Sequence, residues 1–190
     1  VYHIERHIPA PKALDRAAEL IKLKKRPLIV AGGGVHYSLA TKELQKFAEA
    51  FNIPVSVTQA GKSCLLWDHP LNMGGVGTAA ANVLAKEADL IIAVGTRLAD
   101  FPTASKTAFQ QDNVDIVTIN VGRMDGLKMD ALPIQSDAKL GLLALQQKLQ
   151  DVNYRSDYSS EYLDKLKVDW EQEVDRVYTL QSEQGIVQTT

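Results

Sequence analysis

The chain has 190 residues, of which 45% are hydrophobic and 23% are charged, and its formal net charge at pH 7 is −2. These values are close to the globular average and exclude a disordered or fibrous chain. No excess positive charge is available for nucleic acid, and the apolar runs are far shorter than the ~20 residues needed to span a membrane. The single cysteine, Cys64, suits a reducing compartment, so we expect a cytoplasmic protein.

The first half of the chain alternates helical and strand patterns. Apolar residues at helical spacing over residues 14–21 predict a helix, and the continuous apolar run at 28–31 predicts a strand that is buried on both faces. A second amphipathic helix over residues 44–51 and a second strand at 55–58 follow. Together they form a βαβ unit.

The same alternation continues after a glycine-broken loop over residues 61–77. The pattern predicts a helix of small residues, strands at 90–94, 115–121 and 132–135, and a short helix over 102–110. Ser136 or Asp137 can cap a further helix that runs to residue 149. We therefore predict an α/β fold with a doubly wound, parallel sheet of about six strands.

The last forty residues differ in character from the preceding domain. A polar segment at 151–157 precedes a long helix with an apolar stripe, which either packs back on the domain or carries the chain to a neighbouring domain. We assign residues 1–10 to a linker, 11–150 to the α/β domain, and 151–190 to a helix and linker toward a cofactor-binding domain. Because the chain begins with Val1, we expect it to be a fragment of a longer protein.

Four glycine-containing loops are predicted at the carboxyl edge of the sheet, where doubly wound folds bind ligands. Glycines there let backbone amides approach a phosphate, although tight turns between strands and helices use the same residues. Tyr37 and Thr58-Gln59 do not match the dinucleotide fingerprint, and Arg97 could bind an anion or pair with Asp100. The candidate cofactor-binding residues are Gly32, Gly33, Gly34, Gly61, Gly75, Gly77, Gly95, Thr96 and Arg97.

Established catalytic patterns do not occur in this sequence. The four histidines form no metal-binding pair, and the sequence has neither a serine nucleophile motif nor a phosphate-binding lysine loop. Cys64 lies among apolar residues, which favours a buried thiol over a nucleophile. We therefore assign no catalytic residue and no metal ligand from the residues themselves.

Four segments resemble the central domain of thiamine-diphosphate enzymes related to acetolactate synthase. Their order and spacing match over about residues 10–149, and they read LIVAGGGVHYS (28–38), IPVSVTQAGK (53–62), WDHPLNMGGVG (67–77) and AVGTRLAD (93–100). Within that family, the second and third segments are most similar to members that hydrolyse a C–C bond of a cyclic dione. The alternatives are a 2-oxo acid decarboxylase or carboligase, and a self-standing nucleotide- or FAD-binding module.

The resemblance implies that flanking pyrimidine- and diphosphate-binding domains of the same polypeptide hold thiamine diphosphate and Mg²⁺. It also implies a homodimer or homotetramer, with Lys62 and His69 as candidates for lining the substrate channel. Relatives hold FAD, ADP or nothing in the central cleft. Gly122-Arg123 stands where many flavin-binding members place an acid, which weakens the FAD assignment. Asp125-Gly126 with Asn153 imitates a cofactor motif, but it lies inside the central domain and is rejected as a metal site.

Overall fold

The computed structural model describes residues 5–179. Within this range six parallel strands form one sheet in the order β3-β2-β1-β4-β5-β6, which confirms the predicted fold class. The strands are β1 (Pro27–Ala31), β2 (Val55–Val57), β3 (Asn72–Gly75), β4 (Leu90–Val94), β5 (Asp115–Asn120) and β6 (Leu132–Gln135).

Helices cover both faces of the sheet. α1 and α3 each pack against α7 on one face, whereas α4 and α8 pack together on the other. The described helices are α1 (Pro11–Ile21), α2 (Gly34–Tyr37), α3 (Thr41–Phe51), α4 (Ala79–Glu87), α5 (Asp100–Thr103), α6 (Met124–Leu127), α7 (Ala138–Asp151) and α8 (Ser160–Tyr178).

The centre of the sheet is formed by β1 and β4, whose residues are all buried. These strands pair in register from Pro27 opposite Leu90 to Ala31 opposite Val94. Continuous apolar strands of this kind are typical of a parallel sheet with helices on both faces. The order of strands reverses here, so the carboxyl ends of β1 and β4 flank the topological switch point.

Two details of the sequence prediction are wrong. Strand β3 lies within the predicted loop over residues 61–77, because an edge strand of asparagine, methionine and two glycines has little intrinsic β propensity. The helix predicted over residues 102–110 is limited to α5. Ala104, Ser105 and Lys106 have positive φ angles, which end the helix after one turn.

The segment between α7 and α8 packs on the domain despite its polar sequence. Tyr154 and Tyr158 are buried there, and the backbone amide of Ser156 donates to the carbonyl oxygen of Phe51 at 2.9 Å. Arg26 lies over the rings of Tyr158 and Tyr162, at 5.4 and 5.3 Å from their centroids. These contacts fix the beginning of α8 to the amino edge of the sheet.

None of the helices in residues 5–179 has the length and apolar composition that crossing a membrane requires.

Candidate functional site

The loops after β1 and β4 touch each other through their backbones. The Gly34 amide donates to the Gly95 carbonyl oxygen at 2.9 Å. A Cβ atom on Gly32 would lie 2.5 Å from that same oxygen, and one on Gly34 would lie 2.6 Å from the Gly95 Cα. Because glycine has no side chain, the two loops can approach each other closely. Backbone atoms of the loop after β4 occupy the space where the Cβ atoms of Gly32 and Gly34 would lie.

The loop after β2 packs on the loop after β1 in the same way. A Cβ atom on Gly61 would lie 2.2 Å from the Ala31 carbonyl oxygen, and one on Gly33 would lie 3.1 Å from the Ala60 Cβ. The Thr58 hydroxyl accepts a hydrogen bond from the Gly61 amide at 3.2 Å and so caps this turn. Three of the four predicted glycine loops thus form one compact unit.

Two side chains hold the segment after this turn. The Cys64 thiol donates to the Gly32 carbonyl oxygen at 3.7 Å, and His36 Nε2 lies 2.9 Å from the Lys62 carbonyl oxygen. Burial raises the pKa of the Cys64 thiol to about 11. The thiol is therefore protonated at neutral pH, and its geometry is that of a packed residue instead of a nucleophile.

Arg97 projects from the loop after β4. Thr96 is buried, and its carbonyl oxygen accepts a hydrogen bond from Asn120 Nδ2 at 3.0 Å, whereas Arg97 is exposed. Among the described residues Arg97 has no salt bridge with Asp100, so its guanidinium can reach an anion at the carboxyl edge. The anchoring role of Asn120 was missed, because an asparagine at the end of a strand carries no motif.

Gly75 and Gly77 lie apart from this unit. Gly75 is the last residue of β3 and Gly77 follows it, and β3 is separated from β1 by β2. Gly77 has φ +98° and no atom within 4 Å of its Cβ position. Its positive φ angle therefore explains the need for glycine here, whereas close packing of another atom does not. The predicted set of nine residues is thus divided between the switch point and the edge of the sheet.

The structure does not bring Lys62 and His69 together. Lys62 follows β2 at the carboxyl edge, whereas His69 lies three residues before the start of β3, at the opposite edge. His69 Nε2 donates to Glu49 Oε1 at 3.0 Å, and its Nδ1 accepts from the Leu71 amide at 3.1 Å. These contacts give His69 a structural role in the loop, and the bond to His69 lowers the pKa of Glu49.

The described residues do not form a site for a magnesium ion. Residues 5–179 contain no group of three or more histidine, cysteine, aspartate or glutamate side chains that could hold a metal ion. Asp125 lies in α6 and pairs with Lys128, whereas Asn153 follows α7 and lines a cavity with Phe51. The motif-like spacing of Asp125-Gly126 and Asn153 therefore has no counterpart in space.

An apolar groove that the sequence motifs did not predict lies between β3 and α8. Its volume is about 570 Å³, and both tryptophans of the chain line it. Its other apolar walls are Val57, Leu65, Leu66, Met73, Ala80 and Val174, with Lys62, Lys167, Glu171 and Asp175 at its rim. The groove depends on the packing of α8, so only the tertiary structure reveals it.

The sheet order and the glycine loops at its switch point define the chain as a doubly wound α/β domain. The sequence profile described as "Thiamine pyrophosphate enzyme, central domain" matches residues 14–146. The chain therefore belongs to the family of central domains of thiamine pyrophosphate enzymes.

Two similar proteins of known sequence carry the same name. The chain is 49% identical over 184 residues to a 3D-(3,5/4)-trihydroxycyclohexane-1,2-dione hydrolase of Clostridium tetani. It is 47% identical over 183 residues to a hydrolase of the same name from Bacillus cereus. Each alignment covers 95% of this chain but only 28% of the relative. The chain thus spans less than a third of the length of the relatives it matches.

A solved structure supports the fold. A protein of Mycobacterium smegmatis, described as a thiamin diphosphate-dependent enzyme, matches 78% of this chain and 30% of its own, with a TM-score of 0.63. The two sequences are 21% identical, so this likeness establishes the architecture alone.

Proposed function

We propose that this chain is the central domain of a thiamine-diphosphate-dependent enzyme that hydrolyses a C–C bond of 3D-(3,5/4)-trihydroxycyclohexane-1,2-dione. The observation that carries this proposal is the 49% identity to a hydrolase of that name, which extends over 95% of the chain. In the net reaction the hydroxyl of water joins a carbonyl carbon and gives a carboxylic acid. The hydrogen goes to the other carbon of the broken bond, and the ring opens.

The chemistry belongs to the flanking domains of the proposed enzyme. Thiamine diphosphate, when bound, supplies a carbanion for addition to a carbonyl group. The described residues of this chain offer no metal site, so pyrimidine- and diphosphate-binding domains of the same polypeptide would hold the cofactor and its Mg²⁺. This chain supplies a rigid connecting unit within a cytoplasmic homodimer or homotetramer.

The site residues have separate roles in this proposal. The three loops packed at the switch point form a stiff carboxyl edge, from which Arg97 and Lys62 are exposed to a ligand or a neighbouring domain. Lys62 borders the path of the anionic or polyol substrate, whereas His69 supports the loop from the opposite edge. FAD or ADP has little affinity for the cleft, because backbone fills the space beside Gly32 and Gly34.

The experiment that tests the function is an assay of the full-length protein with the cyclic dione, with and without thiamine diphosphate and Mg²⁺. Pyruvate serves as the competing substrate. We expect acid release from the dione only when the cofactor and metal are present. Activity on pyruvate alone would replace the hydrolase by a decarboxylase or carboligase, and inactivity on both would favour the nucleotide-binding module.

Lys62 can be tested in the same assay. Lys62→Met should raise KM for the dione or lower kcat, because the positive charge beside the substrate path is lost. Lys86→Met is the matched control, since Lys86 is an exposed lysine in the last turn of α4, at the amino edge of the sheet. Equal kinetics of the two variants would remove Lys62 from the substrate path.

A further inference from the structure

The groove between β3 and α8 exposes large aromatic and apolar side chains to water. Trp67 is 81% exposed and Leu66 is 65% exposed, although both lie beside the buried residues Leu65 and Met73. Adjacent large apolar side chains that remain in water mark interaction sites more often than single exposed residues do. Tryptophan is also enriched among the residues that dominate binding energy at interfaces.

The opposite wall of the groove is the second half of α8. Leu163 in the first half of this helix is buried in the core, whereas Trp170 and Val174 in the second half are only half-buried. The apolar stripe continues along the helix, but the domain itself covers only its beginning. The second half of the stripe therefore faces the groove with part of its surface uncovered.

Charged residues surround this apolar surface. Lys62 and Lys167 line the groove together with Glu171 and Asp175, and none of the four forms a salt bridge within the described residues. Among the residues that the structure describes, Lys167 donates only to the carbonyl oxygen of His69, at 2.9 Å. An apolar centre with a charged rim is the usual composition of an interface between folded units.

We propose that this groove is the docking surface for a flanking domain of the same polypeptide. The inference rests on the proposed function, in which this chain is one part of a longer enzyme. The chain spans only 28% of the hydrolases it resembles, so most of such a polypeptide lies outside this domain and is available to cover the groove. A tethered domain is present at high effective concentration, which favours it over a free partner.

The chemistry of the groove defines the surface that fits it. The docked face is apolar opposite Trp67 and Trp170, carries carboxylates opposite Lys62 and Lys167, and carries a basic group opposite Glu171 and Asp175. Docking removes both indole rings from water.

Hydroxyl-radical footprinting of the native full-length protein tests the proposal directly. The oxidation rate of Trp67 should fall roughly tenfold from its value in the urea-unfolded protein, because the core of an interface excludes water. A rate in the folded protein close to that in the unfolded protein would overturn the proposal. The measurement needs no substrate, so it can fail while the dione assay succeeds, and the reverse also holds.

Zero-length cross-linking identifies the occupant. A mixture of light and isotopically heavy full-length protein, treated with a carbodiimide, should join Lys62 or Lys167 to carboxylates elsewhere in the same polypeptide and outside this chain. Cross-links between light and heavy molecules would assign the groove to a second copy and overturn the proposed occupant. If Lys62 and Lys167 were cross-linked only to Glu171 or Asp175 of the same groove, the groove would be uncovered, and this result would also overturn the proposal.

A pair of variants separates docking from folding. Trp67→Ser should lower the midpoint of thermal unfolding of the full-length protein, whereas Leu23→Ser should leave it unchanged. Leu23 is 72% exposed in the connection between α1 and β1, so it matches Trp67 in exposure but lies outside the groove. Equal midpoints for the two variants would contradict a buried role for Trp67.

Discussion

The switch point and the groove are built in opposite ways. At the switch point, glycines let the loops after β1, β2 and β4 approach until their backbones are in contact. Beside β3, large side chains such as Trp67 leave about 570 Å³ of open space. A run of glycines thus marks close packing in this molecule, whereas open space occurs where bulky residues lack a partner. The comparison predicts that small changes of volume will be tolerated very differently in the two regions.

The largest effect is expected from adding one methyl group at the switch point. Gly61→Ala would place a Cβ atom 2.2 Å from the Ala31 carbonyl oxygen, so the backbone must move. We expect the free energy of unfolding to fall by about 3 kcal/mol, the upper range for overpacking. Urea denaturation of the chain measures this change.

Gly122→Ala is the matched control for that substitution. No atom lies within 4 Å of the Cβ position of Gly122, and its φ is not in the left-handed region. Its free energy of unfolding should change by no more than about 0.5 kcal/mol. If both variants unfold at the same urea concentration, the loops are not as tightly packed as the comparison requires.

A second difference concerns the reactivity of cysteines in the two regions. Burial raises the pKa of Cys64 to about 11, so little thiolate is present at pH 8. We expect alkylation of native Cys64 to be at least about a hundredfold slower than that of an ordinary exposed thiol. The rate should rise with pH toward the raised pKa, because the thiolate is the reacting form.

Leu66→Cys in a Cys64→Ala background supplies the comparison thiol. Leu66 is 65% exposed in the groove, so the new cysteine should react at the rate of a free thiol. Mass spectrometry of the labelled chain measures both rates. Similar rates for Cys64 and the groove cysteine would contradict the difference in packing.

A smaller effect is expected where α8 is anchored. Burial alone would lower the pKa of Arg26, but Glu87, Tyr158 and Tyr162 outweigh this effect and raise it. Arg26 Nη2 lies 2.6 Å from Glu87 Oε2, and the Tyr162 hydroxyl donates to the same oxygen. Arg26→Met should therefore reduce the free energy of unfolding by about 1 kcal/mol through the lost ion pair and cation–π contacts.

Lys25→Met provides the reference for Arg26. The adjacent Lys25 lies 3.9 Å from Asp157, and both side chains are more than half exposed, so their pairing should contribute less than about 0.5 kcal/mol. Limited proteolysis within α8 should also be faster in Arg26→Met than in the unmodified protein, and unchanged in Lys25→Met. Equal stability and equal cleavage in both variants would show that other contacts anchor the helix.

The sequence was informative where local pattern and tertiary packing agree. Continuous apolar runs identified β1 and β4. Of the two caps predicted for α7, the structure uses Asp137, whose Oδ1 accepts from the amides of Lys139 and Leu140 at 3.0 and 3.2 Å. The sequence did not predict β3, because its residues have little β propensity and its position depends on pairing with β2. Periodicity thus predicted the core strands but not the glycine-rich edge strand.

The site was predictable only in part, for a related reason. The position of the glycine loops follows from topology, so the residues at the switch point could be placed in advance. His69 could not, because its sequence position does not show that residues 62–71 cross from one edge of the sheet to the other. The groove also escaped prediction, since Trp67 and Trp170 are distant in sequence and meet only through the packing of α8.

The smallest effect is expected when FAD or ADP is titrated into the protein, because we expect neither nucleotide to bind at the switch point. A flavin or ADP needs space for its phosphates between the loops after β1 and β4, but the Gly34 amide already donates to the Gly95 carbonyl oxygen. The exposed Gly122-Arg123 also offers no carboxylate to a ribose. Calorimetric titration of the chain with FAD and with ADP should therefore give no submillimolar binding. Tight binding of either nucleotide, weakened by Arg97→Met but not by Lys86→Met at the amino edge, would mean that the two loops separate in solution and that the switch point is a working cleft.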